Sequence, residues 1–367
     1  MRALRVVLIG AGTRTHKVYL PWLSRSGAAV CVAVVDSDIG AAHRAAAQFT
    51  RAVAARPGDV ESVIADTQPD LIIVAAPDAA HASYVRRSLT AAVTVLVEKP
   101  LTTTLSDALE LARSVRSDRV LVATNFRSVN LNTWVRTSLQ AGLIGTVRTV
   151  EFSYHLTTDH ARSYLYRWHR HRAASGGLEI TKACHHLDLL SWWLDATPTG
   201  VRGRMDRRLP AADYRATGAD IHDTIEALIT YDTGQTAQYT LQPGARHDSY
   251  TCTIEGTDGR LQIAYNAAAG PHEVHIRTGS HGTGWPRLIA REPGTHAGAD
   301  ARMLTALPSA ARGGRSPSFA TAAEAALTVA TGSAIRESAE TVRAVHIPNS
   351  LTAPENQPCR LSAPPTA

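Results

Sequence analysis

Val93-Thr94-Val95-Leu96-Val97 is a short, mostly β-branched run that stops abruptly at Glu98-Lys99-Pro100. It is too short for a helix and too apolar for a surface loop, so it predicts a buried central strand of a parallel sheet. Pro100 ends the strand, because proline has no N–H for the ladder and pushes the preceding residue into extended backbone. Glu98 and Lys99 are therefore delivered just past the carboxyl edge, where open α/β sheets bind their ligands.

Lys99 is also rare by type. Of 38 basic residues only three are lysine, namely Lys17, Lys99 and Lys182. Arginine can replace lysine wherever a positive charge suffices, but it cannot titrate near neutral pH. A chain with so few lysines can have kept these for chemistry; the competing account is chance survival and a Lys99–Glu98 pair.

The sequence around this strand alternates as a doubly wound sheet should. Leu4–Ile9 reads as a strand, followed at once by Gly10-Ala11-Gly12 and a helix from about Lys17 to Leu23. The first glycine permits the tight turn, and the second lets backbone N–H groups approach a pyrophosphate at the helix N-terminus. Thr15 stands where a third glycine would complete GxGxxG, so the helix is expected slightly further out. Val30–Val35 is a second strand ending in Asp36, 24 residues beyond Gly12, where a carboxylate can accept hydrogen bonds from ribose hydroxyls. Asp36 and Asp38 would repel a 2′-phosphate, favouring NAD over NADP, whereas Arg14 could pair with phosphate. A turn or cap role for Asp36 stays open. Strands at 70–74 and 120–124 and helices at 79–91 and 106–116 complete the unit, with His81 either facing the cofactor or capping the structure.

A glycine turn after the first strand, an acidic end to the second, a strand ending Glu98-Lys99-Pro100, and Asn125-Phe126-Arg127 before a helix together resemble the Gfo/Idh/MocA oxidoreductases. The resemblance implies an α/β fold: an N-terminal Rossmann dinucleotide-binding domain and a C-terminal α/β domain with a large open, mainly antiparallel sheet. The expected division is 1–125, 126–349 for the substrate-binding and oligomerisation domain, and a flexible tail at 350–367. The resemblance also implies a nicotinamide cofactor and a sugar or polyol substrate. Gly10, Gly12, Thr13, Arg14, Asp36, Pro77, His81, Glu98, Lys99 and Asn125 are the cofactor-binding candidates.

From Val147 the strands lengthen and alternate, with hairpin signals at Asp232-Thr233-Gly234 and Thr257-Asp258-Gly259. This predicts an antiparallel sheet with one packed face. The resembling family often covers the other face with a second subunit, so a homodimer or homotetramer is expected.

A second constellation is Gly176-Gly177-Leu178-Glu179-Ile180-Thr181-Lys182-Ala183-Cys184-His185-His186-Leu187-Asp188. A helix over 183–194 puts His185 and Asp188 on one face, with Lys182 at its entrance. Together they offer a proton donor, a base near neutral pH and an orienting carboxylate; a capped helix with structural histidines is the competing account. The family's pattern here is Asp-x-Gly-x-His-x-x-Asp. His185 and Asp188 match it, while Thr181 replaces the first aspartate and Ala183 the glycine. Threonine cannot hold an imidazolium by charge, and Lys182 would lower the pKa of His185 and keep it neutral. The segment looks like a branch of the family that carries lysine there.

Lys99, Lys182 and His185 are the catalytic candidates, and Lys99, Arg127, Tyr164, Arg167, Trp168, Lys182, His185 and Asp188 the substrate-binding ones. Arg162, Arg167, Arg170 and Arg172 alternate with Tyr164, Tyr166, Trp168, His169 and His171, a mixture suited to a sugar ring carrying an anionic group or to a surface contact. His296 and Asp300 lie in a loop resembling one that borders the family's pocket.

A net charge of +6 with dispersed arginines and few aromatics argues against a nucleic-acid partner. No apolar run approaches the roughly 18 residues of a membrane span, so a cytoplasmic protein without a membrane partner is expected. Cys31, Cys184, Cys252 and Cys359 lack zinc spacing, so free thiols and no metal are expected. The reading is an NAD-dependent dehydrogenase or ketoreductase acting on a polyhydroxylated small molecule. Imine reduction, a non-redox reaction using bound NAD transiently, and a non-catalytic NAD-binding sensor stay open.

Overall fold

The alternating apolar runs of the first third condense into one parallel sheet in a computed structural model that describes residues 2–91, 93–114, 116–268, 270–279 and 284–348. Its strands are β1 (Leu4–Ile9), β2 (Ala29–Val35), β3 (Val53–Ala55), β4 (Leu71–Val74), β5 (Thr94–Val97) and β6 (Val120–Val122), in the order β6-β5-β4-β1-β2-β3. That order reverses beside β1, and the crevice at such a reversal is where doubly wound sheets take a dinucleotide. Period-two alternation sends Val7, Ile9, Ile72, Val74, Val95 and Val97 to one helix-covered face and Val6, Leu8, Leu71, Ile73 and Leu96 to the other. Burial on both faces is why these strands read as continuous apolar runs.

The first helix departs from its expected start. Thr15–Tyr19 make one π-type turn, with the Leu20 N–H reaching the Thr15 carbonyl, before an α-helix over Leu20–Arg25. Pro21, which has no N–H to give, falls at the changeover.

The second sheet contains β7 (Val147–Thr157), β8 (Pro198–Asp206), β9 (Thr224–Tyr231), β10 (Thr236–Ala245), β11 (Ser249–Gly256), β12 (Gly259–Asn266), β13 (His272–Thr278) and β14 (Trp285–Ile289), in the order β14-β13-β12-β11-β7-β10-β9-β8. The short strand Val345–His346 extends the β8 edge. The sheet is mainly antiparallel, with one parallel pair: β7 is inserted between β10 and β11, so it runs antiparallel to β11 and parallel to β10. Phe152, Tyr154, Tyr239, Leu241, Tyr250 and Ile254 are buried in one core with Leu187, Leu190 and Trp193 of the helix Cys184–Leu194. Glu151, Leu228, Gln238 and Thr251 face outward.

The chain then returns to the first domain. Met303, Leu304 and Leu307 of the helix Ala299–Ala310 join the core around β1, and the strand Ala320–Thr321 pairs with β6. The helix Ala322–Thr341 packs on both the helix Leu105–Arg113 and β8, tying the two sheets together. Cys31, Cys184 and Cys252 are free and buried; Cys359 and the expected tail at 350–367 lie outside the described residues. Among the described residues no helix is long and apolar enough to cross a membrane.

Candidate active site

The glycine turn after β1 divides its two jobs between two residues. Gly10 has φ +100°, and a Cβ there would lie 2.4 Å from the Ala75 carbonyl oxygen, so close packing against the end of β4 requires glycine. A Cβ at Gly12 would meet nothing within 4 Å. Gly12 and Thr13 are exposed, leaving an open cradle of the kind a pyrophosphate fills. Thr15 does more than replace a glycine: its hydroxyl donates to the Gly10 carbonyl at 2.6 Å and closes the turn. Asp36 sits beside the turn at the end of β2, where its carboxylate accepts the N–H groups of Ala11 at 2.6 Å and Asp38 at 2.8 Å. Pro77 is exposed past β4. Asn125 donates to Asp300 at 2.9 Å, while its own Oδ1 is buried without a partner among the described residues. The cradle, the acid at the end of β2 and the orphaned amide oxygen fit a dinucleotide.

Arg14 is held by protein partners. Its Nε donates to Glu98 at 2.5 Å and its two terminal nitrogens form a fork on Asp300 at 2.7 and 3.0 Å. Tyr19 adds a 2.6 Å hydrogen bond to Glu98. Burial pushes the Glu98 carboxyl up, but Arg14 and Tyr19 outweigh it and hold it below the ordinary range. Asp300 is likewise lowered against its burial by His296 and Arg14. His296 and Ala297 both adopt left-handed backbone, with φ +51° and +54°, and the His296 ring lies 6.3 Å from that of His185. The loop flagged in the sequence thus borders the same crevice.

Lys99 spans the two domains: its Nζ donates to the Thr181 carbonyl at 2.9 Å. His81 is fully buried, and its ring nitrogens lie 2.8 Å from the Pro100 carbonyl and 2.9 Å from the Ala76 carbonyl. It staples the loops after β4 and β5 together and has no nitrogen left for a cofactor.

The segment after Gly177 breaks into a turn, Leu178–Thr181, and the helix Cys184–Leu194, with Lys182 at the joint. Lys182 is buried, 3.3 Å from the Tyr154 hydroxyl and 4.5 Å above its ring. Burial pushes its ammonium down to about 8; Asp248 pulls back upward and Lys99 pushes further down. His185 is lowered well below the usual imidazole range, first by burial and then by Lys99 and Lys182. The expected direction is found, with desolvation rather than the neighbouring ammonium as the larger cause. His185 Nδ1 is buried without a partner among the described residues. Its neighbour His186 is structural, stacking on Tyr154 at 4.1 Å and pairing with the Tyr239 hydroxyl at 2.8 Å.

Asp188 and Arg127 are not offered to a substrate. They pair with each other through a two-pronged contact at 2.6 and 2.8 Å, with side chains 2% and 3% exposed. His185 and Asp188 share the helix Cys184–Leu194, and Asp188 meets the buried Arg127 there.

The arginine-rich stretch also sorts itself. Arg162 pairs with Asp213, Arg170 with His171 and Arg172 with Glu340. Arg167 is exposed and without an ion pair among the described residues. Trp168 stacks on His169 at 3.7 Å, and Tyr164 is buried between His169 and His160. His169 was read only as part of the aromatic interleaving, yet its Nδ1 is buried and unpartnered, and burial, Lys99 and Arg167 push it down to about 4. His160 pairs with Asp248, whose charge reaches Lys182. These residues lie 88 positions apart, and no local spacing signal joins them. Asp78, in the turn after β4, is buried and feels Lys99.

The comparisons with known proteins agree with this architecture. The Gfo/Idh/MocA model described as the oxidoreductase family's NAD-binding Rossmann fold matches residues 4–126, and that of its C-terminal alpha/beta domain matches 136–347. YteT of Bacillus subtilis (strain 168) is 30% identical over 258 residues, covering 53% of this chain and 60% of that protein. Inositol 2-dehydrogenase of Acidothermus cellulolyticus is 31% identical over 240 residues, covering 62% of this chain and 63% of that protein. The matches thus span less than two thirds of either relative. The crystal structure of an oxidoreductase domain protein from Kribbella flavida shares the fold, with a TM-score of 0.80 at 19% identity over 95% of this chain and 100% of that one.

Proposed function

The chain belongs to the Gfo/Idh/MocA oxidoreductase family, and on that premise we propose that it is an NAD-dependent oxidoreductase acting on a secondary alcohol, or the matching ketone, of a sugar, cyclitol or related polyhydroxylated metabolite. One observation carries the reading: two of the chain's three lysines and a neutral histidine with a buried, unpartnered Nδ1 meet where the edge of the Rossmann sheet faces the second domain. That an inositol dehydrogenase is among the relatives supports the substrate class.

NAD, when bound, supplies the hydride acceptor at its nicotinamide ring. The protein's residues handle the proton. His185, held neutral by burial, accepts a hydrogen bond from the substrate hydroxyl. Lys182, brought down to about 8, can take up and release a proton in the working range. The Lys99 ammonium stabilises the developing alkoxide. Arg167, Trp168 and Tyr164 line the approach, with Arg167 free to meet an anionic substituent. The enzyme works in the cytoplasm as a homo-oligomer, using the outer face of the second sheet.

The first experiment is to denature the purified protein, identify any released nucleotide, and titrate NADH and NADPH against the stripped protein by fluorescence. Preferred NADH binding with turnover in a polyol and ketosugar screen is expected. Failure to bind either nucleotide would overturn the reading, and tight retention of NAD without net redox turnover would replace it with transient oxidation.

A further inference from the structure

Position 181 holds a threonine where the family pattern holds an aspartate, and the missing charge has a neighbour on the other domain. Asp78 opens the turn after β4. Strands β4 and β5 are parallel neighbours with Val74 opposite Val97, so Asp78 and Lys99 both lie just beyond the same sheet edge. His81 ties the two loops by holding the carbonyls of Ala76 and Pro100. Asp78 is 7% exposed, and its Oδ2 is buried with no partner among the described residues. The Thr181 side chain faces that carboxyl group and draws its pKa down, while the Thr181 carbonyl accepts from Lys99 Nζ at 2.9 Å. Thr181 is therefore bracketed by an acid and a base from the first domain.

Of the other acids nearby, Glu98 is committed to Arg14 and Tyr19, the half-buried Asp248 to His160, and the buried Glu179, which also keeps one unpartnered oxygen, to Arg336. Leaving one oxygen of a buried carboxylate unpaired costs free energy, and such groups are kept where they face a charge or a ligand. We propose that Asp78 is a positioning residue that supplies, from the first domain, the carboxylate missing at position 181, fixing Thr181 and the Lys99 ammonium against each other across the domain boundary. Burial holds the Asp78 carboxyl above its ordinary range, and His81 and Lys99 draw it only part of the way back. The role in turnover rests on the oxidoreductase reading; the role in placing Lys99 does not.

The test uses Asp78→Asn, Thr181→Val, and the double variant Asp78→Asn/Thr181→Asp. Because the chain has three lysines, selective lysine labelling reports the surroundings of Lys99 by NMR without any turnover. Asp78→Asn is expected to lower kcat by about 10- to 100-fold, the usual result of misplacing a reacting group by about an ångström, with NADH affinity kept and the Lys99 signal moved. Restoring a carboxylate at position 181 should recover most of kcat and return the signal. Thr181→Val should move the same signal and lower kcat less, and it decides the matter if Asp78→Asn does not fold. A Lys99 signal unmoved in the folded single variants would overturn the proposal, as would a double variant no better than Asp78→Asn. If no substrate turns over at all, the oxidoreductase reading fails while the Lys99 signal still decides the role of Asp78.

Discussion

His185 and Asp188 sit one turn apart on the same helix, and they have opposite surroundings. Asp188 meets Arg127 through two short hydrogen bonds, one to each carboxylate oxygen, and is buried with it. His185 keeps an unpartnered ring nitrogen, and Lys182 beside it has one long hydrogen bond and an aromatic face. The same contrast separates the Arg14–Glu98–Asp300 network, with every charge paired, from the lysine cluster it adjoins. A buried polar group whose partners are all in the chain belongs to the scaffold; one left short is where a ligand or a proton completes it.

The sharpest break of this comparison is Asp188→Ala. It strands a buried guanidinium and should cost about 3–5 kcal/mol, read as a large fall in the urea midpoint. A folded variant whose only defect is a raised KM would return Asp188 to the substrate site. Lys182→Met should act in the opposite sense, sharply lowering turnover while stabilising the protein. The ammonium falls from 10.5 to about 8 on folding, so the unfolded chain holds more protons between those values and stability rises with pH across that window. Below about 8 the buried charge costs the native state up to about 3 kcal/mol, and methionine removes that cost. Stability of the variant that no longer climbs between pH 8 and 10.5 is the expected result. An unchanged slope would mean that another group carries it.

The rate should follow the same titration. Alcohol oxidation needs Lys182 neutral, so kcat should rise with pH around a midpoint near 8, and ketone reduction should fall over the same range. Lys182→Met with residual activity should lose this step. A step that survives the substitution belongs to a different group.

Much of the first domain was legible because its signals are local. The run at Val93–Val97, the glycine turn and Asp36 at the end of β2 each declare a strand end within a few residues. The second domain's site was legible in type but not in partnership. The three-residue spacing of His185 and Asp188 says that they share a helix, yet whether an arginine is buried beside one of them depends on where Arg127, 61 residues away, enters the core. His160 and Asp248 meet only because β7 and β11 are adjacent, a pairing set by the topology of the whole sheet. Arg14 looked free to bind phosphate because Asp300, 286 residues on, could not be brought to it by any local rule.

Thr15 offers the smallest test of the same principle. As an incomplete glycine pattern it looked like a weakened cofactor site, but its hydroxyl points back into the turn and donates to Gly10, and the residue is fully buried. A group so satisfied should matter for stability and not for binding. Thr15→Ala removes one buried hydrogen bond and should cost about 1 kcal/mol, visible as a modest fall in the urea midpoint, with NADH affinity unchanged. Thr15→Gly restores the familiar pattern yet should be less stable than Thr15→Ala by about another 0.5–1 kcal/mol, since glycine at a helical position loses more conformational freedom on folding. Tighter NADH binding by Thr15→Gly would show that the glycine had been missed for the cofactor's sake, and the division between satisfied scaffold and unsatisfied site would then fail at the turn where it is easiest to see.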